Sequence, residues 1–193
     1  MIHVPARIDA PRAQTFFARR RWGNLFGLWG RQTSIQLLPT TQERQFPCIE
    51  RIWIPHYRID FSVVSKKGPG KVSVSVEACS GCFAFFQMHD DLVDGEPGEA
   101  CLPILISEED AIHRGRSDLL KAIMRRRSQE SKPIIQEALE TGLFHYPFWV
   151  YYFKRRGKFI DIRLLDAYSG ERGGNRTRQG VLNAFVAMRN TKT

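Results

Sequence analysis

Over Arg51–Val64, the apolar residues Ile52, Ile54, Ile59, Phe61 and Val63 are interleaved with polar or aromatic ones. Over Lys71–Glu77, Val72, Val74 and Val76 alternate with Lys71, Ser73 and Ser75. Period-two alternation turns one face of a strand to a core and the other to solvent, which predicts a half-buried antiparallel pair. The intervening Ser65-Lys66-Lys67-Gly68-Pro69-Gly70 is turn chemistry, so the two runs read as a hairpin. A second hairpin is expected from Tyr146–Phe153 and Lys158–Asp166 around Arg156-Gly157, and shorter strands at Thr33–Leu38 and Leu102–Ile106.

Helical signals lie between and after the hairpins. Ser107-Glu108-Glu109-Asp110 has the form of a capping box. Ser117 offers a second N-cap ahead of Leu119, Leu120, Ala122, Ile123 and Met124, with the cations Arg125, Arg126 and Arg127 at the end, where they oppose the helix dipole. Ser131 and Pro133 open an expected short helix carrying Ile134, Ile135 and Leu139, which Gly142 closes. Thr177–Arg189 reads as a last amphipathic helix with Val181, Leu182, Phe185 and Met188 on its apolar face. The fold class is therefore α+β: an antiparallel sheet built from two repeated β-hairpins, with helices from 107–141 and 177–189 packed on one face. Linear organisation divides into 1–32, 33–106 and 107–193, with 33–193 expected to form one compact domain.

The two hairpins resemble each other. Ile54-Pro55-His56-Tyr57 corresponds to Tyr146-Pro147-Phe148-Trp149, and Glu77-Ala78-Cys79-Ser80-Gly81 to Asp166-Ala167-Tyr168-Ser169-Gly170. The spacing between copies is 92 residues at the prolines and 89 at the Ser-Gly pairs, the difference falling in the longer first turn. An acid at a strand end can accept hydrogen bonds from the N–H groups of the next turn, and glycine closes that turn at positive φ. With the preceding segment 132–141 taken as a helix, the hairpin 148–165 and Asp166-Ala167-Tyr168-Ser169-Gly170 resemble the PepSY-like pattern over about residues 130–172, with a fainter copy at 50–82 in which Glu77 replaces the acid. The resemblance implies a helix packed on a hairpin and a module that binds or inhibits partners, usually without catalysis; it supplies no catalytic residues.

Charge adds a class of partner. The chain of 193 residues carries 29 Lys and Arg against 20 Asp and Glu, net +9. Residues 86–112 hold eight acids and no Lys or Arg, whereas 113–193 hold seventeen basic and seven acidic side chains. A field of this sign raises encounter rates with nucleic acid, anionic surfaces or acidic proteins and says nothing of fold. Residues 1–32 interleave Phe16, Phe17, Trp22, Phe26 and Trp29 with Arg19, Arg20 and Arg21. Gly23, Gly27 and Gly30 disfavour an isolated helix there, so the aromatics of this arm are expected to dock on the body or on a second copy. Surface association with a membrane through the arm is the alternative. No run of apolar residues is long enough for a membrane span, and the N-terminus shows no secretory pattern, so a cytoplasmic location with free thiols is expected.

Candidate chemistry is sparse. Cys79 and Cys82 form a Cys-x-x-Cys pair which, with His89 and Cys101, gives a zinc candidate; free thiols at a hairpin end are the simpler reading. Asp90-Asp91-Leu92-Val93-Asp94-Gly95 fails as a calcium loop, because Leu92 and Cys101 stand where oxygen ligands are needed. No phosphate loop, nucleophile elbow or zincin helix occurs, and neither cofactor nor catalytic residue is assigned. The leading expectation is a non-enzymatic binding or assembly module whose partner is protein, including a second copy. The alternative is RNA or DNA binding by Arg19, Arg20, Arg21, Arg125, Arg126, Arg127, Arg155, Arg156, Arg176 and Arg178, with Tyr57, Trp149 and Tyr151 as surfaces on which bases could stack.

Overall fold

The computed structural model describes residues 1–18, 36–37, 46–98, 100–125, 132–155 and 159–190. In chain order these form β1 (Ile2–His3), α1 (Ala10–Ala18), β2 (Gln36–Leu37), β3 (Cys48–Ser65), β4 (Gly68–Glu77), β5 (Phe83–Phe85), β6 (Val93–Asp94), α2 (Glu108–Arg125), β7 (Ile134–Arg155), β8 (Phe159–Asp166) and α3 (Asn175–Asn190), with a single 3-10 turn at His89–Asp91. The protein is thus mixed α and β. Its sheet is mostly antiparallel, but β1 runs parallel to β7 and β2 parallel to β3, which corrects the expectation of a purely antiparallel sheet.

Two compact units divide the chain: Met1–Pro5, Trp53–Tyr146 and Asn175–Thr193 form the first, Ala6–Ile52 and Pro147–Gly174 the second. In the first unit the strand order is β5-β4-β3-β7-β1-β6. β3 and β4 pair from His56↔Glu77 to Ser65↔Gly68, leaving a turn of Lys66-Lys67 only; Gly68-Pro69-Gly70, expected to be part of the turn, already belongs to the strand. The inward face of this hairpin buries Tyr57, Ile59, Phe61, Val74 and Val76 against Ala111, Leu119 and Ile123 of α2. Gly115 lets the helix come close: a Cβ there would lie 3.3 Å from Ile59 Cδ1 and 3.4 Å from Val76 Cγ2.

Helix α2 starts as the sequence indicates, the Asp110 N–H donating to Ser107 Oγ at 3.1 Å. It then runs unbroken past Ser117, which caps no second helix. Leu120 and Met124, placed on its apolar side by the sequence pattern, are exposed. The expected helix 131–142 is strand instead: Ile134–Gly142 is the first part of β7. Arg58 donates to Glu140 at 2.6 Å and Ser62 to Gln136 at 3.1 Å, so pairing with β3 overrides the helical preference of Gln136-Glu137-Ala138. No strand forms at Leu102–Ile106 apart from a bridge between Cys101 and Trp53; Leu105 and Ile106 both donate to the Ala78 carbonyl, holding the segment as a strap. Of the expected strand Thr33–Leu38, only Gln36–Leu37 lies among the described residues. Helix α3 begins at Asn175 and buries Gly180, Val181 and Ala184, whereas Met188 is exposed.

The second unit contains the β7–β8 hairpin, paired from Phe148↔Asp166 to Arg155↔Phe159. Ala13 and Phe17 of α1 pack there on Ile49, Trp149, Leu165 and Ala167. Phe16 and Phe17 of the expected arm are therefore helical and docked; the remainder of the arm lies outside the described residues. Asp166 Oδ1 accepts from the Tyr168 and Ser169 N–H groups at 2.8 and 2.9 Å. Asp166→Ala leaves both donors without that acceptor and should cost about 1–2 kcal/mol, with Asp166→Asn recovering most of it, measured by urea denaturation.

Equivalent hydrogen bonds recur within each unit. Ala78 donates to Pro55 O and Ala167 to Pro147 O; Gly81 donates to Glu77 O and Gly170 to Asp166 O; Glu77 donates to Cys82 O and Asp166 to Glu171 O. Leu105 and Ile106 donate to Ala78 O as Arg7 and Ile8 do to Ala167 O. Tyr57 Oη donates to Ile106 O, and Trp149 Nε1 to Ile8 O.

Candidate functional site

The strap, α2 and α3 of the first unit surround a cleft of about 730 Å³. Its floor is the turn Cys79-Ser80-Gly81, at the end of β4. One wall is the stripe Arg114, Ser117, Asp118 and Lys121 of α2, and the other the stripe Arg176, Gln179, Gly180 and Asn183 of α3. Each stripe follows the i, i+3, i+4, i+7 spacing of a single helix face. Beside these stripes, Leu119 and Ile123 of α2 and Val181 and Ala184 of α3 are buried and anchor the two helices.

Glycine shapes the floor. Gly81 has φ +72°, and a Cβ there would lie 2.5 Å from Arg114 Nη1 and 3.1 Å from its Cδ; the guanidinium lies across the turn because no side chain occupies that space. Gly180 brings α3 onto the turn: its Cβ would lie 2.6 Å from Ser80 Cβ and 2.7 Å from Glu77 Oε1. Glu77 is only 1% exposed, and burial raises its pKa above the ordinary carboxylate value, opposed by hydrogen bonds from Ser80 and Thr177. Its Oε1 has no hydrogen-bond partner among the described residues. The cleft therefore rests on a carboxyl group held toward its neutral form.

The cationic side chains dominate the cleft's charge. Lys121 is paired with Asp118 at 2.8 Å, and Asp118 is the one acid lining the cleft among the described residues. Arg114 and Arg176 have no carboxylate partner among those residues. The first turn of α3 contains no acidic side chain, so Arg176 adds its charge to the positive end of the helix. No family model, curated protein or solved structure matches this chain. The cleft is interpreted on its own chemistry.

The sequence-derived candidates are distributed differently. Cys79 is buried, its thiol donates to Pro103 O at 3.4 Å, and burial followed by the nearby Glu77 pushes its pKa up to about 12. Cys101 donates to Gly98 O, while His89 Nε2 is hydrogen-bonded to Ser73 Oγ. Cys82 is partly exposed beside the floor turn. Among the described residues no group of three His, Cys, Asp or Glu side chains is disposed to hold a metal ion. Thiolate ligands must lose their proton, which the surroundings of Cys79 oppose.

Of the proposed nucleic-acid residues, Arg176 lines the cleft, Arg125 is exposed at the end of α2, and Arg178 is partly buried in α3. Arg19, Arg20, Arg21, Arg126, Arg127, Arg156 and the side chain of Arg155 lie outside the described residues. Tyr57 and Trp149 are 7% and 6% exposed, with their polar tips tied to backbone carbonyls, so neither offers a face to a base. Tyr151 stacks on Phe17 and Phe153. Among the described residues no helix is long and apolar enough to cross a membrane.

Proposed function

We propose that the chain is a duplicated binding module whose first unit holds an acidic protein partner in the cleft between α2 and α3. The observation that carries this reading is the pair of guanidinium groups, Arg114 and Arg176, facing a cleft whose one acidic side chain is already bound to Lys121. Duplication is supported by the recurrent hydrogen bonds from Pro55 to Cys82 and from Pro147 to Glu171. The PepSY-like resemblance loses its helix, because 134–141 is strand, and keeps the hairpin 148–165 with Asp166–Gly170. It points to a binding role and adds no site residue.

Binding fits the cleft better than catalysis. Its one thiol, Cys79, is held protonated and donates to a carbonyl instead of facing a base. The burial of Tyr57 and Trp149 favours protein over nucleic acid, because sequence-tolerant binding of single strands relies on open aromatic faces.

Fluorescence anisotropy with a labelled acidic peptide and a labelled mixed-sequence oligonucleotide separates the two classes. The peptide should bind, weaken with salt, and lose about tenfold or more in affinity with Arg176→Glu. Oligonucleotide binding with a log–log salt slope of several units, without peptide binding, would establish the nucleic-acid alternative. Absence of both at low salt would overturn the binding role of the cleft.

A further inference from the structure

We infer that the cleft is built for a phosphate monoester: the anchoring group of the bound partner is a phosphorylated side chain. This rests on the reading of the cleft as an anion-binding site and goes further by distinguishing a dianion from a carboxylate. Lys121 and Asp118 neutralise each other, which leaves the two charges of Arg114 and Arg176. A carboxylate offsets one of them, whereas a phosphate monoester carries about −1.5 to −2 near neutral pH.

The donor set points the same way. Ser117, Gln179 and Asn183 line the cleft with the two arginines. Ser80 is committed to Glu77 and one Gln179 N–H to Asn183 Oδ1 at 3.0 Å, yet the two guanidinium forks alone present more donors than a single carboxylate accepts. A phosphate presents three oxygens in a tetrahedral arrangement and takes forked guanidinium contacts from more than one direction. Arg114 is positioned for this by its packing across Gly81, and Arg176 by the first turn of α3. Arg176 stands at the positive end of that helix with no acid in the first turn, a position that favours an anion. Glu77, the remaining carboxyl near the site, lies beneath Gly180, and its burial raises its pKa. Among the described residues the lining has Leu105 and Ile106 as its large apolar side chains, the imidazole of His113 as its one ring and no Phe, Tyr or Trp, so a phosphorylated side chain fits better than a nucleotide base.

The test is titration calorimetry of the full chain with a phosphoserine peptide, the same peptide with Glu in place of phosphoserine, and inorganic phosphate. The phosphopeptide should bind at least about tenfold more tightly than the Glu peptide, and inorganic phosphate should compete with it. Arg114→Gln should abolish most of that preference without lowering the melting temperature, whereas Arg125→Gln, outside the cleft, should preserve it. Equal affinity for the two peptides would overturn the phosphate assignment and leave an acidic-partner cleft intact. Binding of neither peptide nor phosphate would remove both. Inorganic phosphate binding as tightly as the phosphopeptide would identify a site for free phosphate and contradict a phosphorylated protein partner.

Discussion

Gly180→Ala is expected to destabilise the protein, although the same change in an open helix is favourable by up to about 1 kcal/mol. The added Cβ would lie 2.6 Å from Ser80 Cβ, 2.7 Å from Glu77 Oε1 and 3.2 Å from the Ser80 backbone nitrogen. Ser80 Cβ and its backbone belong to a turn fixed by the Gly81-to-Glu77 and Cys82-to-Ser80 hydrogen bonds, so neither swings aside cheaply. Helix α3 has to lift instead. Overpacking of this kind costs about 1–3 kcal/mol, enough to reverse the propensity gain. Chemical denaturation should show a lower midpoint, and hydrogen exchange should show faster opening across 175–190. An increased midpoint would mean that α3 does not rest on the Glu77–Gly81 turn as described.

The second large effect is loss of stability in mild acid through His56. Its Nδ1 is hydrogen-bonded to Ser75 Oγ at 3.0 Å, its ring packs beside Phe144 and Tyr146, and its Nε2 is sealed without a partner among the described residues. Burial, with His145 nearby, pushes the imidazole pKa down from 6.5 to about 3. In the unfolded chain the ring takes a proton near pH 6.5, whereas in the folded chain it resists until about pH 3. The His56 contribution is therefore fully present above pH 6.5 and lost as pH falls toward 3, at up to about 1.4 kcal/mol per unit.

His145, also lowered by burial, acts in the same direction. Glu77 acts in the opposite one, because its raised pKa means that the folded state gains stability as its carboxyl is protonated. Urea midpoints at pH 7.5 and 5.0 should differ clearly in the wild type. The difference should shrink in His56→Phe, with the part due to His145 remaining; the variant places at position 56 the ring found at Phe148. The same fall in both proteins would exclude His56 as the source.

What the sequence made legible follows from the range of the forces involved. Alternation at 71–77 and the turn residues Arg156-Gly157 report local structure, and strand pairs formed at both places, reaching from His56↔Glu77 in one and Phe148↔Asp166 in the other. The Ser107 cap is equally local. The segment 131–142 misled because its capping signals and its Ile134, Ile135 and Leu139 suit a helix. In the structure Ile135 is buried while Ile134 and Leu139 are exposed, an arrangement set by pairing with β3 nearly eighty residues away in the chain.

The cleft was hidden for a related reason. Its walls and floor come from 79–81, 105–121 and 176–183, of which the sequence marks Cys79 for zinc, Ser117 for a helix cap and Arg176 for nucleic acid, none of them for a shared cleft. A signal was nevertheless present: Arg114, Ser117, Asp118 and Lys121 form a polar helical stripe, as do Arg176, Gln179, Gly180 and Asn183. Glycine inside the second stripe marks the point of close approach. Only tertiary structure shows that the two stripes face the same space.

Chemical-shift mapping of the labelled protein with an acidic peptide tests the cationic cleft most directly. Perturbations should concentrate at 79–81, 114–121 and 176–183, and should vanish in an Arg114→Gln/Arg176→Gln double variant that remains folded. Perturbations confined to 148–166, or an unchanged pattern in the double variant, would contradict the cleft as the binding site.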